Sequence, residues 1–188
     1  MNVLNIYGTT EGQTRKIAER AGARVRERGH DVEVHNSASL PPSLDLAGFH
    51  AIIVAASVHQ ERHQEHVSDF VMAHREQLNS KPTAFVSVSL SAVLEYAKDE
   101  AQTYVDRFVA ATHWQPQNIL LLGGALRGSE YDYFERQIIK FIVMKRGEIA
   151  DMTRDYEFTD WNALAGFIDE FLAAAEPSIR EGQFKATT

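Results

Sequence analysis

Two short stretches carry residue types that could do chemistry. The first is Gly8-Thr9-Thr10-Glu11-Gly12-Gln13-Thr14, between an apolar run and a helix-period segment. A strand–turn–helix junction turns free backbone N–H groups outward, and the helix dipole favours an anion there. Gly12 allows close backbone approach, and the Thr9, Thr10 and Thr14 hydroxyls can donate to phosphate oxygens. Each hydrogen bond to a charged group is worth roughly 1.5–3 kcal/mol, so several hold a phosphate without lysine. Neither the Gly-Lys-Ser/Thr of a Walker loop nor G-x-G-x-x-G is present. The competing reading is a threonine-rich cap on an ordinary helix.

The second stretch, Ser57 to His66, reads SVHQERHQEH. On a helix, His59, His63 and His66 share one ridge and could hold a transition metal. It lacks H-E-x-x-H, and the sequence assigns no further carboxylate ligand, so no metal is expected. There is no G-x-S-x-G for a Ser-His-Asp hydrolase, and no pair of carboxylates stands out as acid and base. Trp114 and Trp161 read as packing residues.

The elements that must position these residues alternate. Residues 2–7, 31–36, 51–57, 83–90 and 118–126 read as strands; 13–28, about 64–78, about 95–111 and 161–175 read as helices. Such alternation implies a parallel sheet covered on both faces. The run 51–57 is apolar throughout, as in a strand buried on both sides, whereas 31–36 has a wet face and belongs at an edge. The implied α/β fold is doubly wound and five-stranded, in order 2-1-3-4-5, with its ligand at the switch between strands 1 and 3. Ser57–Gln60 then falls at the end of strand 3 as loop rather than helix, with a helix starting after His63. All 188 residues read as one domain with a helical insertion at about 127–160.

Composition narrows the function classes. The formal charge of −7 argues against a nucleic-acid protein. The absence of cysteine excludes disulfides, thiolate nucleophiles and iron–sulfur clusters. There is no secretory signal pattern and no segment long enough to span a bilayer. A cytoplasmic protein is expected. Within the insertion, Tyr131–Arg146 is helix-like, and nine of its sixteen residues are apolar or aromatic. Flanked by Lys140, Lys145 and Arg146, it suits a membrane interface on the cytoplasmic face, its own domain, or a second subunit of a homodimer.

YGTTEGQTRKIA resembles the FMN-phosphate loop of flavodoxins. It is closer still to the menaquinone-dependent protoporphyrinogen IX dehydrogenases, whose loop reads like S-T-x-D-G-Q-T before R-x-I-A. LNSKPTAFVSVSL (78–90), WQPQNILLLGGALR (114–127) and YEFTDW (156–161) are similar to landmarks of that family in the same order. The resemblance implies a flavodoxin-like fold and FMN as cofactor. It also implies oxidation of protoporphyrinogen IX with a quinone as acceptor, in haem synthesis. Thr9, Thr10, Glu11, Gly12, Gln13 and Thr14 would hold the phosphate. Ser57, Val58, His59 and Gln60, with Ser87, Val88, Ser89 and Leu90, would frame the ring. FMN would carry the chemistry, so no catalytic side chain is implied. Arg127, Arg136 and Lys140 are the cations available to a porphyrinogen's propionates. Where the family has roughly Arg-Tyr-Gly, this chain has His59, Gln60 and Glu61, which would shift ring stacking to His59 or to tyrosines from elsewhere, such as Tyr96, and bring Glu61's charge near the flavin. A flavodoxin-type electron carrier, favoured by the acidic surface, and an FMN-dependent NAD(P)H:quinone reductase are the alternatives.

Overall fold

The computed structural model describes residues 1–126 and 155–185, with side chains through residue 177. Five parallel strands form the main sheet: β1 (Asn2–Gly8), β2 (Asp31–Asn36), β3 (Ala51–His59), β5 (Thr83–Val88) and β6 (Asn118–Leu122). Their order is β2-β1-β3-β5-β6, the expected doubly wound arrangement. The register pairs Val3 with both Val32 and Ala51, so β1 lies between β2 and β3. Burial explains the order. Val3, Leu4 and Ile6 of β1 and Ile52, Ile53 and Val54 of β3 are fully buried, whereas β2 carries exposed residues and takes an edge.

Successive side chains of a strand point to opposite faces. One face (Val3, Ile53, Val86) packs on Ile17, Ala21 and Val25 of α1 (Gln13–Glu27) and on Leu164, Ile168 and Phe171 of the C-terminal helix (Trp161–Lys185). The other (Leu4, Ile52, Val54, Phe85) packs on Val67, Phe70 and Val71 of α2 (Glu65–Ala73), on Leu78 of α3 (Arg75–Asn79), and on Val105 and Phe108 of α4 (Lys98–Thr112). Trp114 is fully buried, edge-on to Phe85, as its packing reading required. Trp161 is half-buried, with Lys16 and Arg20 over its ring. The first face is also tied by charge. Arg24 grips both oxygens of Asp169 at 2.8 and 2.7 Å, and Arg28 adds a bond of 2.7 Å. The Arg28 and then the Arg24 guanidinium hold the Asp169 carboxyl well below the usual carboxylate range.

Several boundaries differ from the sequence expectation. The third strand runs on through His59, because Val58 and His59 pair with β4 (Arg62–His63), so Ser57–His59 is strand rather than loop. The strand expected at 83–90 stops at Val88, ahead of the 3-10 turn at 91–93. The helix expected at 64–78 divides at His74 (φ −113°, ψ 15°), whose ring packs on Phe70 at 4.9 Å. The helix expected from 95 begins at Lys98, because 91–93 and 95–97 are 3-10 turns. The last helix continues past 175 through Pro177. The strand expected at 118–126 stops at Leu122; after Gly123 and Gly124, β7 (Ala125–Leu126) pairs antiparallel with β8 (Tyr156–Glu157). The chain comes so close here that a Cβ on Gly123 would lie 2.6 Å from the Phe158 carbonyl oxygen. Of the expected insertion, 127–154 lies outside the described residues, and with it the Tyr131–Arg146 segment.

Candidate functional site

The C-terminal ends of the strands open a cleft at the switch between β1 and β3, where the topology leaves room for a ligand. Thr9, Thr10, Glu11, Gln13 and Thr14 line it from β1–α1; Ser57, Val58 and His59 from β3; Val88, Ser89 and Leu90 from β5; and Gly124, Ala125 and Leu126 from beyond β6.

In the first loop, Gly12 stands just ahead of α1 with φ 92°, a left-handed conformation that suits glycine. Its N–H donates to Thr9 Oγ1 at 2.9 Å, which closes the turn and leaves that hydroxyl its own proton to donate. The first bond into the helix runs from Lys16 N–H to the Gly12 carbonyl. The amides of Gln13, Thr14 and Arg15 therefore precede the helical ladder, and no described side chain caps them. Thr14 is buried, and its hydroxyl has no hydrogen-bond partner among the described residues. An orphaned buried hydroxyl costs about 1–3 kcal/mol, which an anion oxygen would recover. No threonine of the loop acts as a side-chain cap of α1. The nearest lysine, Lys16, is turned to Glu157; that bond, more than any other contact, lowers the Glu157 carboxyl below its ordinary value. Gln13 lines the cleft, yet its amide donates to Thr159 Oγ1 at 2.9 Å, and Thr159 in turn donates to the Gly123 carbonyl at 2.8 Å.

The histidine ridge does not form. His59 is the exposed end of β3, and His66 is exposed in the first turn of α2. His63 is buried in β4 (Arg62–His63), which folds back on Val58–His59. No cluster able to hold a metal exists among the described residues. The two-residue hairpin turn puts Gln60 at φ 49° and Glu61 at φ 62°, left-handed geometry that costs a non-glycine residue roughly 1–2 kcal/mol. Tertiary contacts impose it. Arg107 reaches Glu61 at 3.1 Å, and His63 Nε2 bonds the Ser87 hydroxyl at 2.9 Å between the Phe85 and Phe108 rings. Burial pushes the His63 imidazole down to about 4.

The cleft thus gathers most of the expected site residues, with three exceptions. Gly12 shapes the turn behind the lining, Gln60 lines a separate recess with Glu61, Arg62 and Met72, and Ser87 is turned inward to His63. Tyr96 is 69% exposed and is not among the lining residues, whereas His59 is. Glu61 is also outside the lining and is paired with Arg107, which offsets its charge. Arg127, Arg136 and Lys140 lie outside the described residues. The sequence reading missed the wall at Gly124–Leu126, for which the Gly-Gly pair after β6 was the available signal. It also missed Gln64, whose amide reaches Thr10 and Ser57; nothing in the local pattern marks that residue.

A doubly wound sheet with uncapped helix amides at its switch point defines a class, and the flavodoxin domain family matches residues 4–153. The chain belongs to that family. Within it, the chain is similar to the protoporphyrinogen IX dehydrogenase [quinone] of Escherichia coli K12, with 29% identity over 90% of this chain and 94% of that protein. It is 30% identical to the protein of the same name from Leishmania major, over 90% of this chain and 74% of that one. Among solved structures, a flavodoxin of the Streptococcus pneumoniae strain TIGR4 superposes with a TM-score of 0.56 at 16% identity, covering 93% of this chain and 99% of that one. Flavodoxin 2 of Bacillus cereus gives 0.55 at 15%, with the same coverage. At such identities these structures speak for the fold alone.

Proposed function

We propose that this chain is an FMN-dependent oxidoreductase that oxidises protoporphyrinogen IX to protoporphyrin IX with a quinone as acceptor, a step of haem synthesis. One observation carries the cofactor reading: the cleft at the β1/β3 switch ends on uncapped helix amides and on the orphaned Thr14 hydroxyl. That donor set fits a phosphate monoester on a flat, partly polar ligand. Thr9, Thr10 and Thr14, with the α1 amides, would hold the phosphate. Ser57–His59 and Val88–Leu90 would border the ring and hydrogen-bond its polar edge. Bound FMN supplies hydride and electron transfer; the chain binds it, orients it and shields one side from water. The curated relatives, matched along nearly the whole chain, support the porphyrinogen and quinone reading.

The finer points follow from the same reading. The whole chain acts as one flavodoxin-like domain, and Arg127, Arg136 and Lys140 supply cationic partners for the substrate's carboxylates. Among the described residues no helix is long and apolar enough to cross a membrane. The apolar, cation-flanked 131–146 segment supports contact with the cytoplasmic membrane face, where a quinone resides, or with a second copy of the chain.

The test begins with colour. Purified protein should be yellow and should quench FMN fluorescence on titration; a colourless protein that does neither defeats the cofactor reading. Anaerobic oxidation of protoporphyrinogen with a menaquinone analogue is then compared with oxidation of NAD(P)H. Turnover with NAD(P)H alone would replace this proposal with a quinone reductase, and flavin reduction without substrate turnover with an electron carrier.

A further inference from the structure

Gln64 sits where three parts of the cleft meet. It caps the start of α2: its carbonyl accepts from the Val67 and Ser68 amides at 3.1 and 3.2 Å, which fixes its backbone. Its side chain lies across the end of β1. A Cβ on Gly8 would come within 2.3 Å of Val67 Cγ2 and 3.3 Å of Gln64 Cβ, so the absence of a side chain at Gly8 lets the start of α2 lie there. The Nε2 group donates to Thr10 Oγ1 at 3.2 Å and, by a short bond, to Ser57 Oγ. Thr10 belongs to the β1–α1 loop and Ser57 to the end of β3, and both line the cleft. The amide oxygen is buried with no hydrogen-bond partner among the described residues.

We infer that Gln64 is a positioning residue that, by giving both of its side-chain N–H bonds to the Thr10 and Ser57 oxygens, turns both hydroxyl protons toward whatever the cleft binds. A hydroxyl has one proton and two lone pairs. Once it accepts from Gln64, its remaining strong interaction is donation, which suits a phosphate oxygen at Thr10 and a carbonyl or ring nitrogen at Ser57. One side chain therefore sets the hydrogen-bond sense at both ends of the cleft. The inference rests on the FMN reading above.

Gln64→Met keeps length without donors, and Gln64→Glu replaces donors with acceptors that compete for the same two protons. FMN and riboflavin are titrated by flavin fluorescence into the wild type and both variants, each checked for a wild-type circular dichroism spectrum. Losing one oriented donor to a charged group costs about tenfold in affinity. Gln64→Met should therefore weaken FMN by about tenfold and riboflavin, which lacks phosphate, by less. Gln64→Glu should weaken FMN further. In a Thr10→Val, Ser57→Ala background the Gln64→Met effect should vanish, as a double-mutant cycle reads. Three results would overturn the inference: Gln64→Glu binding FMN as tightly as the wild type, equal losses for FMN and riboflavin, or a loss that persists without the two hydroxyls. A wild type that binds neither flavin would sink both the inference and the reading beneath it.

Discussion

The Thr9–Gly12 turn and the Gln60–Glu61 turn both stand at the carboxyl end of the sheet, and both contain left-handed backbone. In the first, the left-handed residue is Gly12, which adopts it freely, so the loop needs little help from the rest of the fold. Its amides and the Thr14 hydroxyl are left over for a ligand. In the second, glutamine and glutamate are forced into that geometry, and the surrounding polar groups are consumed by the protein itself: Arg107 on Glu61, His63 on Ser87. A loop with cheap local geometry can spend its donors on binding. A loop held by tertiary contacts spends them on its own shape, and contributes rim rather than affinity.

Four experiments can break or sharpen that contrast. Removing the anchor should have the largest effect. His63→Ala leaves a cavity against Phe85 and Phe108 and strips the Ser87 hydroxyl of its partner, and should cost about 3 kcal/mol in urea unfolding. A loss well under 1 kcal/mol would mean that the hairpin is not held from below.

Acid should act through the same residue. His63 titrates at about 4 when folded and near its ordinary 6.5 when unfolded. The unfolded chain therefore takes up the proton first, so this stability is complete above pH 6.5 and is lost as pH falls toward 4. The difference corresponds to about 3 kcal/mol over that window. His63→Gln should flatten this part of the profile of unfolding midpoint against pH; an unchanged slope would place the titration elsewhere.

The first loop should respond in the opposite way. Thr14→Val removes an orphaned donor, so the apoprotein should be as stable as the wild type or more so. FMN binding should weaken by about 2 kcal/mol, with riboflavin almost unaffected. Comparable losses for the two flavins in fluorescence titration would remove Thr14 from the phosphate site.

The smallest expected effect is a gain. Gln60→Asn with Glu61→Gly supplies residues that accept left-handed backbone, and should raise the melting temperature by an amount equal to about 1 kcal/mol. FMN affinity should stay unchanged, because neither residue lines the cleft. Destabilisation would show that the Arg107–Glu61 pair outweighs the strain it accompanies.

Much of the fold was legible because burial writes itself into composition. The apolar run at 51–57 could only be a central strand, and the wetter 31–36 an edge, which with alternating helices settles the strand order. The Gly8–Thr14 turn was legible because its geometry is made within seven residues. What escaped was made by distant partners. The break after Leu122 depends on the approach of Phe158 and on the hydrogen bond from Thr159 to the Gly123 carbonyl, two residues thirty-six apart in the chain. His63 and Gln64, in a stretch that read as a candidate metal ridge, are given their roles by Ser87, Thr10 and Ser57.

The amino-acid sequence by itself thus determined the layered architecture, the place of the cleft and the strand–turn–helix junction beside it, since these follow from hydrophobic period and from bonds between near neighbours. Only the tertiary structure decided which polar groups in the cleft remain for a ligand. A hydroxyl has a single proton, and where the Ser87 and Thr10 hydroxyls can direct it depends on His63 and Gln64, side chains that the chain order keeps apart and packing brings together.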